Sequence, residues 1–441
     1  MKKVLIVTYY FPPSGGPGVQ RVLKLVKYLP QFGWHPVVLT VANGDFPARD
    51  ESLLKEIPSG VPVYRTNIVE PYGIYRVLTG KKKGEAVDVN VIPEKGVRRP
   101  ISERFASWVR GTLFIPDARM VWRLTAVSEG MRVIHKEKIS AIYSSSPPHT
   151  CGVIARSLKR RSELPWIAGF RDPWTGFENT PDRWVLPRAI DHHMEKGVCH
   201  DADAIDVAWL GIRDGLLRAH PELAAKSIVH LPNGFDGEDY PAVEHSRNER
   251  FTMTYTGSMY GTRNPRAILR AVASLAASKL IDTKKIVLKF VGRFGDDVAG
   301  IIAESPVRDC VETVPYLPHS ESIKTLLQSD ALLLIVDEIS GSDSVVPGKV
   351  YEYLGAGKPV LAIAEPNSAI AHLLRETGAG AAYAHSDADG TAAAFLDLFR
   401  RFHDGEPMPA ARPEIVKKYE RKECARRLAA MFDALTRPPT C

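Results

Sequence analysis

The feature that most constrains the fold of this chain is the repeated alternation of short β-branched runs with helical patterns. Thirteen such runs occur, at 4–8, 36–41, 61–65, 139–143, 165–170, 204–207, 228–231, 252–256, 286–291, 311–314, 331–336, 359–364 and 380–383. Near-continuous apolar strands of this kind are typical of parallel sheets covered by helices on both faces. The sequence therefore predicts an α/β protein built from doubly wound domains.

The length of the chain predicts two large domains, because 441 residues exceed one ordinary domain of ~150 residues. The best boundary lies at 232–249, where Gly, Asn, Asp and Pro stand among mostly polar residues. We predict a first domain over 1–235 and a second over 236–412, with a cleft beside the boundary. A helix at about 413–436 is expected to pack back onto the first domain.

The composition excludes a disordered or fibrous chain, since 44% of the residues are apolar and 25% are charged. The longest uninterrupted apolar run, 331–336, is too short to cross a bilayer, and the first residues show no cleavage-site pattern. The five cysteines have no C-x-x-C spacing and predict neither a disulfide framework nor a zinc site. We therefore expect a cytoplasmic protein.

The charge is distributed unevenly along the chain. Residues 1–162 carry 26 Lys and Arg against 12 Asp and Glu, a net charge of +14, so the remainder sums to −7. A basic N-terminal part indicates either an anionic partner or a basic surface exposed to solvent.

Residues 67–117 are predicted to be an insertion. Its stretch 98–114 mixes arginines with large apolar residues, which predicts docking on an anionic membrane surface. No nucleic-acid module is recognisable, and nucleic acid is not an expected partner.

A glycine-rich segment at 10–18 follows the first strand and leads into a helix. Glycines at such a turn let the backbone approach a phosphate, whose charge the helix N-terminus favours. A dinucleotide fingerprint is absent, because Arg21 replaces its third Gly and Ala42-Asn43 follows the second strand where an acidic residue is required. The turn holds an anionic ligand other than NAD, or it needs its glycines for geometry alone.

The clearest motif lies at 344–361. Lys349 and Glu352 are three residues apart, so they project from one face of a predicted helix near its N-terminus. There a cation and backbone N–H groups can hold a diphosphate while the carboxylate accepts two ribose hydroxyls. An exposed ion pair is the alternative. A Walker loop is excluded, since Asp343 and Val350 replace its first Gly and its Ser or Thr.

The run KVYEYLGAGKPV at 349–360 resembles the donor-binding motif of family 4 glycosyltransferases, which are retaining enzymes of the GT-B fold. The resemblance covers most of the chain outside roughly 67–117. It implies two Rossmann-like domains facing across a cleft, and transfer of a sugar from a nucleotide-diphosphate sugar to a cell-envelope polysaccharide or lipid-linked glycan. Further segments resemble the family in the same order along the chain, at 10–18, 231–236, 255–258 and 290–293.

The resemblance also implies a donor site that needs no metal and no other cofactor. Glu352 would bind the ribose, while Arg263 and Lys349 would supply the cations for the diphosphate. One departure stands out, because the first Glu of the family motif falls at Ser344, for which Asp337, Glu338 and Asp343 are loose substitutes. The remaining implied donor-binding residues are Gly15, Gly16, Gly257, Ser258, Arg293 and Gly348.

Two polar loops in the first domain are candidate acceptor-side groups, because ligands of such folds bind at the carboxyl edge of the sheet. His149 either bonds the acceptor or is a satisfied histidine at a helix start. Arg171 stands near the place where many family members carry a His. Arg171 and Asp172 either form a structural ion pair or meet a ligand. We predict that Asp172 receives sugar hydroxyls and that Arg171 stabilises negative charge near the reacting carbon.

Two other classes of function stay open from the sequence. A nucleotide-sugar epimerase of the same architecture would turn over the donor without an acceptor. A non-catalytic protein that binds nucleic acid or an anionic surface would use the basic front part and show salt-sensitive affinity without binding a nucleotide sugar.

Overall fold

The computed structural model describes residues 1–46, 49–68, 111–112, 114–176, 183–241, 247–338 and 346–437. Most of the predicted insertion, including 98–110, and the departure at Ser344 lie outside these ranges. The chain divides into two compact units. The first comprises Met1–Asn233 and Arg421–Cys441, and the second comprises Gly234–Glu420.

The first unit contains a seven-stranded parallel sheet in the order β3-β2-β1-β4-β5-β6-β7. Its strands are β1 (Lys2–Thr8), β2 (Trp34–Val41), β3 (Val63–Thr66), β4 (Ala141–Ser146), β5 (Trp166–Phe170), β6 (Ala204–Val207) and β7 (Ile228–His230). Its helices begin with α1 (Pro17–Tyr28), α2 (Trp122–Glu137), α3 (Thr150–Ser162), α4 (Val185–Asp201) and α5 (Leu210–Ala219).

The second unit contains a six-stranded parallel sheet in the order β10-β9-β8-β11-β12-β13. Its strands are β8 (Phe251–Thr256), β9 (Ile286–Val291), β10 (Val311–Val314), β11 (Ala331–Ile335), β12 (Val360–Ile363) and β13 (Gly380–Tyr383). Its helices are α6 (Arg266–Ala277), α7 (Asp296–Ala303), α8 (His319–Leu327), α9 (Gly348–Ala356), α10 (Ala369–Thr377), α11 (Ala388–Asp404) and α12 (Pro413–Val416).

The last helix, α13 (Arg421–Thr436), packs in the core of the first unit. Its Phe432 ring lies 5.0 Å from the ring of Trp34 at the start of β2. The apolar stripe of α1, with Val22 and Val26, is fully buried in the same cluster. Burial of these side chains is the main force that holds the two helices on the sheet.

A buried ion pair in the first unit connects α1 to β6. The Arg21 guanidinium donates to the Asp206 carboxylate at 2.5 Å, and the Tyr143 hydroxyl donates to the other carboxylate oxygen at 2.6 Å. Arg21 also donates to the carbonyls of Leu231 and Pro232, at 2.8 and 3.0 Å. The residue that breaks the dinucleotide fingerprint therefore holds α1 against the segment that leaves β7.

All thirteen predicted strands are present, and both sheets have the strand order of a doubly wound fold. In each sheet the order reverses beside the first strand of the unit, between β1 and β4 and between β8 and β11. Ligands of such folds bind at the carboxyl ends of the strands at this reversal point. In the described ranges, no helix is both long and apolar enough to span a bilayer.

Candidate functional site

Two glycines shape the reversal point of the second unit. Gly257, directly after β8, has a φ of +123°, and Gly292, directly after β9, has a φ of +147°. A Cβ on Gly292 would lie 2.0 Å from the carbonyl oxygen of Gly257. Both positions therefore require glycine, for backbone conformation and for space.

Lys349 lies against this glycine turn. Its ammonium donates to the Tyr255 hydroxyl at 2.8 Å and lies 4.2 Å from the centroid of the Tyr255 ring. A Cβ on Gly257 would lie 2.6 Å from Lys349 Nζ. The alternative of an ion pair between Lys349 and Glu352 is not realised, and no carboxylate of the described residues lies within 4.0 Å of Lys349 Nζ.

The surroundings of Lys349 lower its pKa to about 7. The largest cause is burial, which disfavours the charged ammonium, and the charge of Arg263 adds to it. Glu352 and Asp337 oppose the shift. The lysine is thus held near the midpoint of its titration at neutral pH, and an incoming anion would favour its charged form.

Arg263 lies close to Lys349 and forms an ion pair with Asp337, which follows β11. Its Nε is buried and has no hydrogen-bond partner among the described residues. Asp337, which the sequence offered as a loose substitute for the missing family carboxylate, is therefore engaged by the second cation of the site. An unpartnered buried N–H costs free energy unless a ligand or water satisfies it.

Glu352 faces a histidine that sequence reasoning missed. Its carboxylate lies 3.7 Å from His319 Nδ1, and His319 Nε2 lies 3.3 Å from the Asp239 carboxylate. The Tyr240 hydroxyl donates to the Glu352 backbone carbonyl at 2.9 Å. The one signal for His319 in the sequence is its position after Pro318 at a helix start, which is too common to single out a site residue.

The other predicted donor residues lie around the same sheet edge. Gly348 is the first residue of α9, with open space where a Cβ would stand. The Ser258 carbonyl accepts a hydrogen bond from the Tyr255 hydroxyl at 2.9 Å. Arg293 is exposed, and its guanidinium lies 5.3 Å from the Tyr316 ring centroid. The structure thus brings Gly257, Arg263 and Lys349 into one group and places Arg293 at its exposed side.

The glycine-rich turn of the first unit follows β1 at the other reversal point. Gly16 has a φ of +98° and is the N-cap of α1, where it offers no side chain to accept a hydrogen bond from the free N–H groups. A Cβ on Gly16 would meet open space. Gly15 precedes it in the same turn. The backbone conformation requires glycine at 16, and the uncapped helix end suits an anion.

Arg171 occupies the space that Gly18 leaves. A Cβ on Gly18 would lie 1.9 Å from Arg171 Nη1, and the guanidinium donates to the Pro147 carbonyl and lies 5.9 Å from the Tyr10 ring centroid. Its Nε is buried without a partner among the described residues. Arg171 forms no ion pair with Asp172, which is exposed. The structural ion pair considered from the sequence is therefore not formed.

His149 stacks on Trp174, with ring centroids 4.7 Å apart and planes inclined by 17°. Burial lowers its pKa to about 4, with Asp117 opposing the shift and Arg171 adding to it. The imidazole is neutral at pH 7, and its Nδ1 is buried without a partner in the described part of the chain. Among the described residues, therefore, no group satisfies the Nδ1 of this helix-start histidine.

A network that sequence reasoning missed holds the Trp174 ring in place. Its indole N–H donates to Asp191 at 2.7 Å, and Arg183 donates to the other carboxylate oxygen at 2.8 Å. Arg183 also donates to the carbonyls of Gly111 and Pro116, both at 2.8 Å. Trp174, Arg183 and Asp191 form no known motif, and the Gly111 and Pro116 carbonyls are distant in sequence, so no sequence pattern indicates this network.

The described residues contain no group of three or more His, Cys, Asp or Glu side chains arranged to hold a metal ion. In the second unit, Lys349 and Arg263 lie close together beside the Gly257 turn. In the first unit, Arg171 and the neutral His149 lie together near Trp174.

Solved structures match 98% of the length of this chain. An E. coli trehalose-6-phosphate protein bound with UDP-2-fluoro glucose is 11% identical, with a TM-score of 0.60 and coverage of 98% of this chain and 99% of the other. A glycosyltransferase from Rickettsia africae ESF-5 is 12% identical, with a TM-score of 0.59 and coverage of 98% of both chains. The apo form of the lipopolysaccharide outer core galactosyltransferase WaaB is 12% identical, with a TM-score of 0.55, covering 98% of this chain and 100% of its own.

These likenesses establish the class of fold, and the chain has the two Rossmann-like domains of GT-B proteins. No protein-family model and no curated protein matches the sequence. At 11 to 12% identity, the matched structures show the fold of this chain but do not show which reaction it catalyses.

Proposed function

We propose that this protein is a metal-independent retaining glycosyltransferase that moves a hexose-type sugar from a nucleotide-diphosphate sugar to a cell-envelope polysaccharide or lipid-linked glycan. The observation that carries the proposal is the group at the reversal point of the second unit. There Lys349 lies against the Gly257 turn without a carboxylate partner among the described residues, Arg263 stands beside it, and Glu352 lies one turn further along α9.

The chemistry follows from this arrangement. Two cations beside a glycine turn suit the diphosphate, because both can neutralise the charge that develops as the bond to the sugar breaks. The Glu352 carboxylate can accept the two ribose hydroxyls. The leaving diphosphate can take the proton of the acceptor hydroxyl, so no protein nucleophile is needed for transfer with retention.

The first unit supplies the candidate acceptor side. A neutral His149 can accept a hydrogen bond from an acceptor hydroxyl at pH 7, since its pKa is about 4. The Arg171 guanidinium has one buried N–H without a partner among the described residues. Asp172 is exposed and free of an ion pair with Arg171, and we assign it to sugar hydroxyls. The matched lipopolysaccharide galactosyltransferase supports an envelope glycan as acceptor class, and the basic front part supports a site of action at the inner face of the cell membrane.

The test begins with a thermal-shift screen of the full chain against UDP, GDP, TDP and their sugars. We expect a stabilising shift from one nucleotide series, since a ligand that binds the folded state raises the melting temperature. Turnover of that donor is then measured with and without a glycan acceptor. Turnover that needs an acceptor supports transfer, whereas isomerisation of the donor alone would identify an epimerase. No response to any nucleotide would overturn the proposal.

A further inference from the structure

The first turns of α4 present an apolar face to solvent. Trp184, Val185, Leu186 and Ile190 are 49%, 80%, 56% and 42% exposed, respectively. We call these four residues the α4 patch. Single exposed apolar side chains are normal on a protein surface, but a contiguous group of them marks a surface that meets an apolar partner.

Within the described residues 183–195, which include the α4 patch, both carboxylates are buried whereas Arg188 is exposed. The two carboxylates of the first turns, Asp191 and Glu195, point inward and are buried in hydrogen bonds with the unit's own side chains. The exposed polar side chains over the same turns are Arg188, His192 and His193. Over 183–195 the exposed face therefore combines apolar side chains with the cation of Arg188 and has no exposed carboxylate.

The α4 patch is held in this exposed position by its surroundings. The Trp184 indole N–H donates to the Thr112 hydroxyl at 3.1 Å, and Arg188 donates to the Arg183 carbonyl at 2.9 Å. Pro187 is buried beneath the first turn. These contacts anchor the start of α4, while the apolar side chains of the α4 patch face solvent.

We propose that the α4 patch docks this protein reversibly on an anionic lipid bilayer. Apolar side chains that enter the boundary between headgroups and acyl chains, combined with nearby cations, give interfacial binding to anionic membranes. Tryptophan suits this boundary because its ring is apolar and its N–H is polar. The inference deepens the proposed function, since a lipid-linked acceptor lies at such a surface. It is independent of the predicted docking stretch at 98–114.

The experiment is flotation of the full chain with two kinds of vesicle. One kind contains phosphatidylglycerol and phosphatidylcholine in equal parts, and the other contains phosphatidylcholine alone. We expect the wild type to float with the anionic vesicles, less so in high salt, and to stay behind with the neutral ones. The double variant Val185→Ser/Leu186→Ser should lose at least about tenfold in partitioning to anionic vesicles. Arg188→Gln should bind more weakly and with a smaller salt effect.

The matched control is the double variant Leu210→Ser/Leu280→Ser, which removes two other exposed leucines, 44% and 47% exposed. Melting temperatures check that each variant folds. Wild-type flotation by Val185→Ser/Leu186→Ser, equal binding to neutral vesicles, or no flotation of the wild type would overturn the inference. A concentration-dependent dimer that this variant abolishes would also overturn it, by assigning the patch to a second copy of the chain. Nucleotide thermal shifts, measured without vesicles, test the proposed function separately.

Discussion

The Lys349 ammonium donates to the Tyr255 hydroxyl at 2.8 Å and lies over the ring of the same tyrosine, 4.2 Å from its centroid. A neutral hydroxyl and a ring face hold the lysine in position but compensate its charge only in part. Because burial also disfavours the ammonium, its pKa falls to about 7. The cation of the proposed donor site is therefore incompletely charged at neutral pH until an anion binds.

Donor binding should take up a proton above neutral pH. Below a pH of about 7 Lys349 is already charged, whereas above it the diphosphate must raise the lysine pKa and draw a proton from solvent. Affinity for the donor sugar should fall as pH rises through 7, by at most about tenfold per pH unit. Titration calorimetry in two buffers of different ionisation enthalpy measures the uptake. The Lys349→Met variant removes the titrating group, so uptake that persists in it would contradict this assignment.

Loss of Lys349 and loss of Glu352 should have different consequences. Lys349→Ala should lower turnover more than ~100-fold, because it removes a charge contact to the leaving diphosphate. Glu352→Ala should weaken nucleotide binding, because it removes the partner of the ribose hydroxyls. Steady-state kinetics and nucleotide titration separate the two effects. Glu414→Ala, which changes an exposed glutamate of the same unit, serves as the control. Normal turnover in both folded site variants would remove them from the mechanism.

The two glycines behind Lys349 should tolerate no side chain. Gly292→Ala would place a Cβ 2.0 Å from the Gly257 carbonyl and should lower the free energy of unfolding by about 2 kcal/mol or more. Gly257→Ala would place a Cβ 2.6 Å from Lys349 Nζ and should weaken donor binding by moving the lysine. Gly300→Ala in α7 is the matched control, since open space surrounds that position and alanine favours the helix. Denaturant unfolding measures the stability of the three variants, and nucleotide titration measures their donor affinity. Wild-type stability of Gly292→Ala would contradict the prediction, because it would show that the turn can relax.

Arg171 and Gly18 should act as one unit. Gly18→Ala would put a Cβ 1.9 Å from Arg171 Nη1 and displace the guanidinium, so it should reduce turnover as Arg171→Lys does. The double variant should be no worse than either single one, because the second change finds the arginine already displaced. Nucleotide titration should show unchanged donor affinity in all three. Additive losses in the double variant would mean that Gly18 and Arg171 contribute independently.

Asp172→Asn tests the other member of the predicted pair. Asp172 is exposed and forms no ion pair with Arg171, so the substitution should leave the melting temperature unchanged. Turnover should nevertheless collapse if the carboxylate receives sugar hydroxyls. Transfer at the parental rate by both Asp172→Asn and Arg171→Lys would exclude the two residues from the reaction.

The sequence by itself determined the architecture of this protein. The runs of apolar β-branched residues predicted all thirteen strands, because a parallel strand buried on both faces needs such a run within one short segment. The local motif at 349–360 likewise placed Lys349 and Glu352 on one helix, since their spacing fixes which face they share. Both features depend on residues that are close together in the chain.

The partners of those residues were decided by the tertiary structure. Lys349 and Glu352 turn to Tyr255 and His319, and not to each other, because strand order brings the ends of distant segments to one sheet edge. Gly18 likewise leaves room for the Arg171 guanidinium. The glycine turn alone would suggest that this space serves a phosphate. Periodicity records which face a residue occupies, but not which distant side chain it meets there. The titration of Lys349 and His149 depends on that packing, because burial sets the cost of their charge.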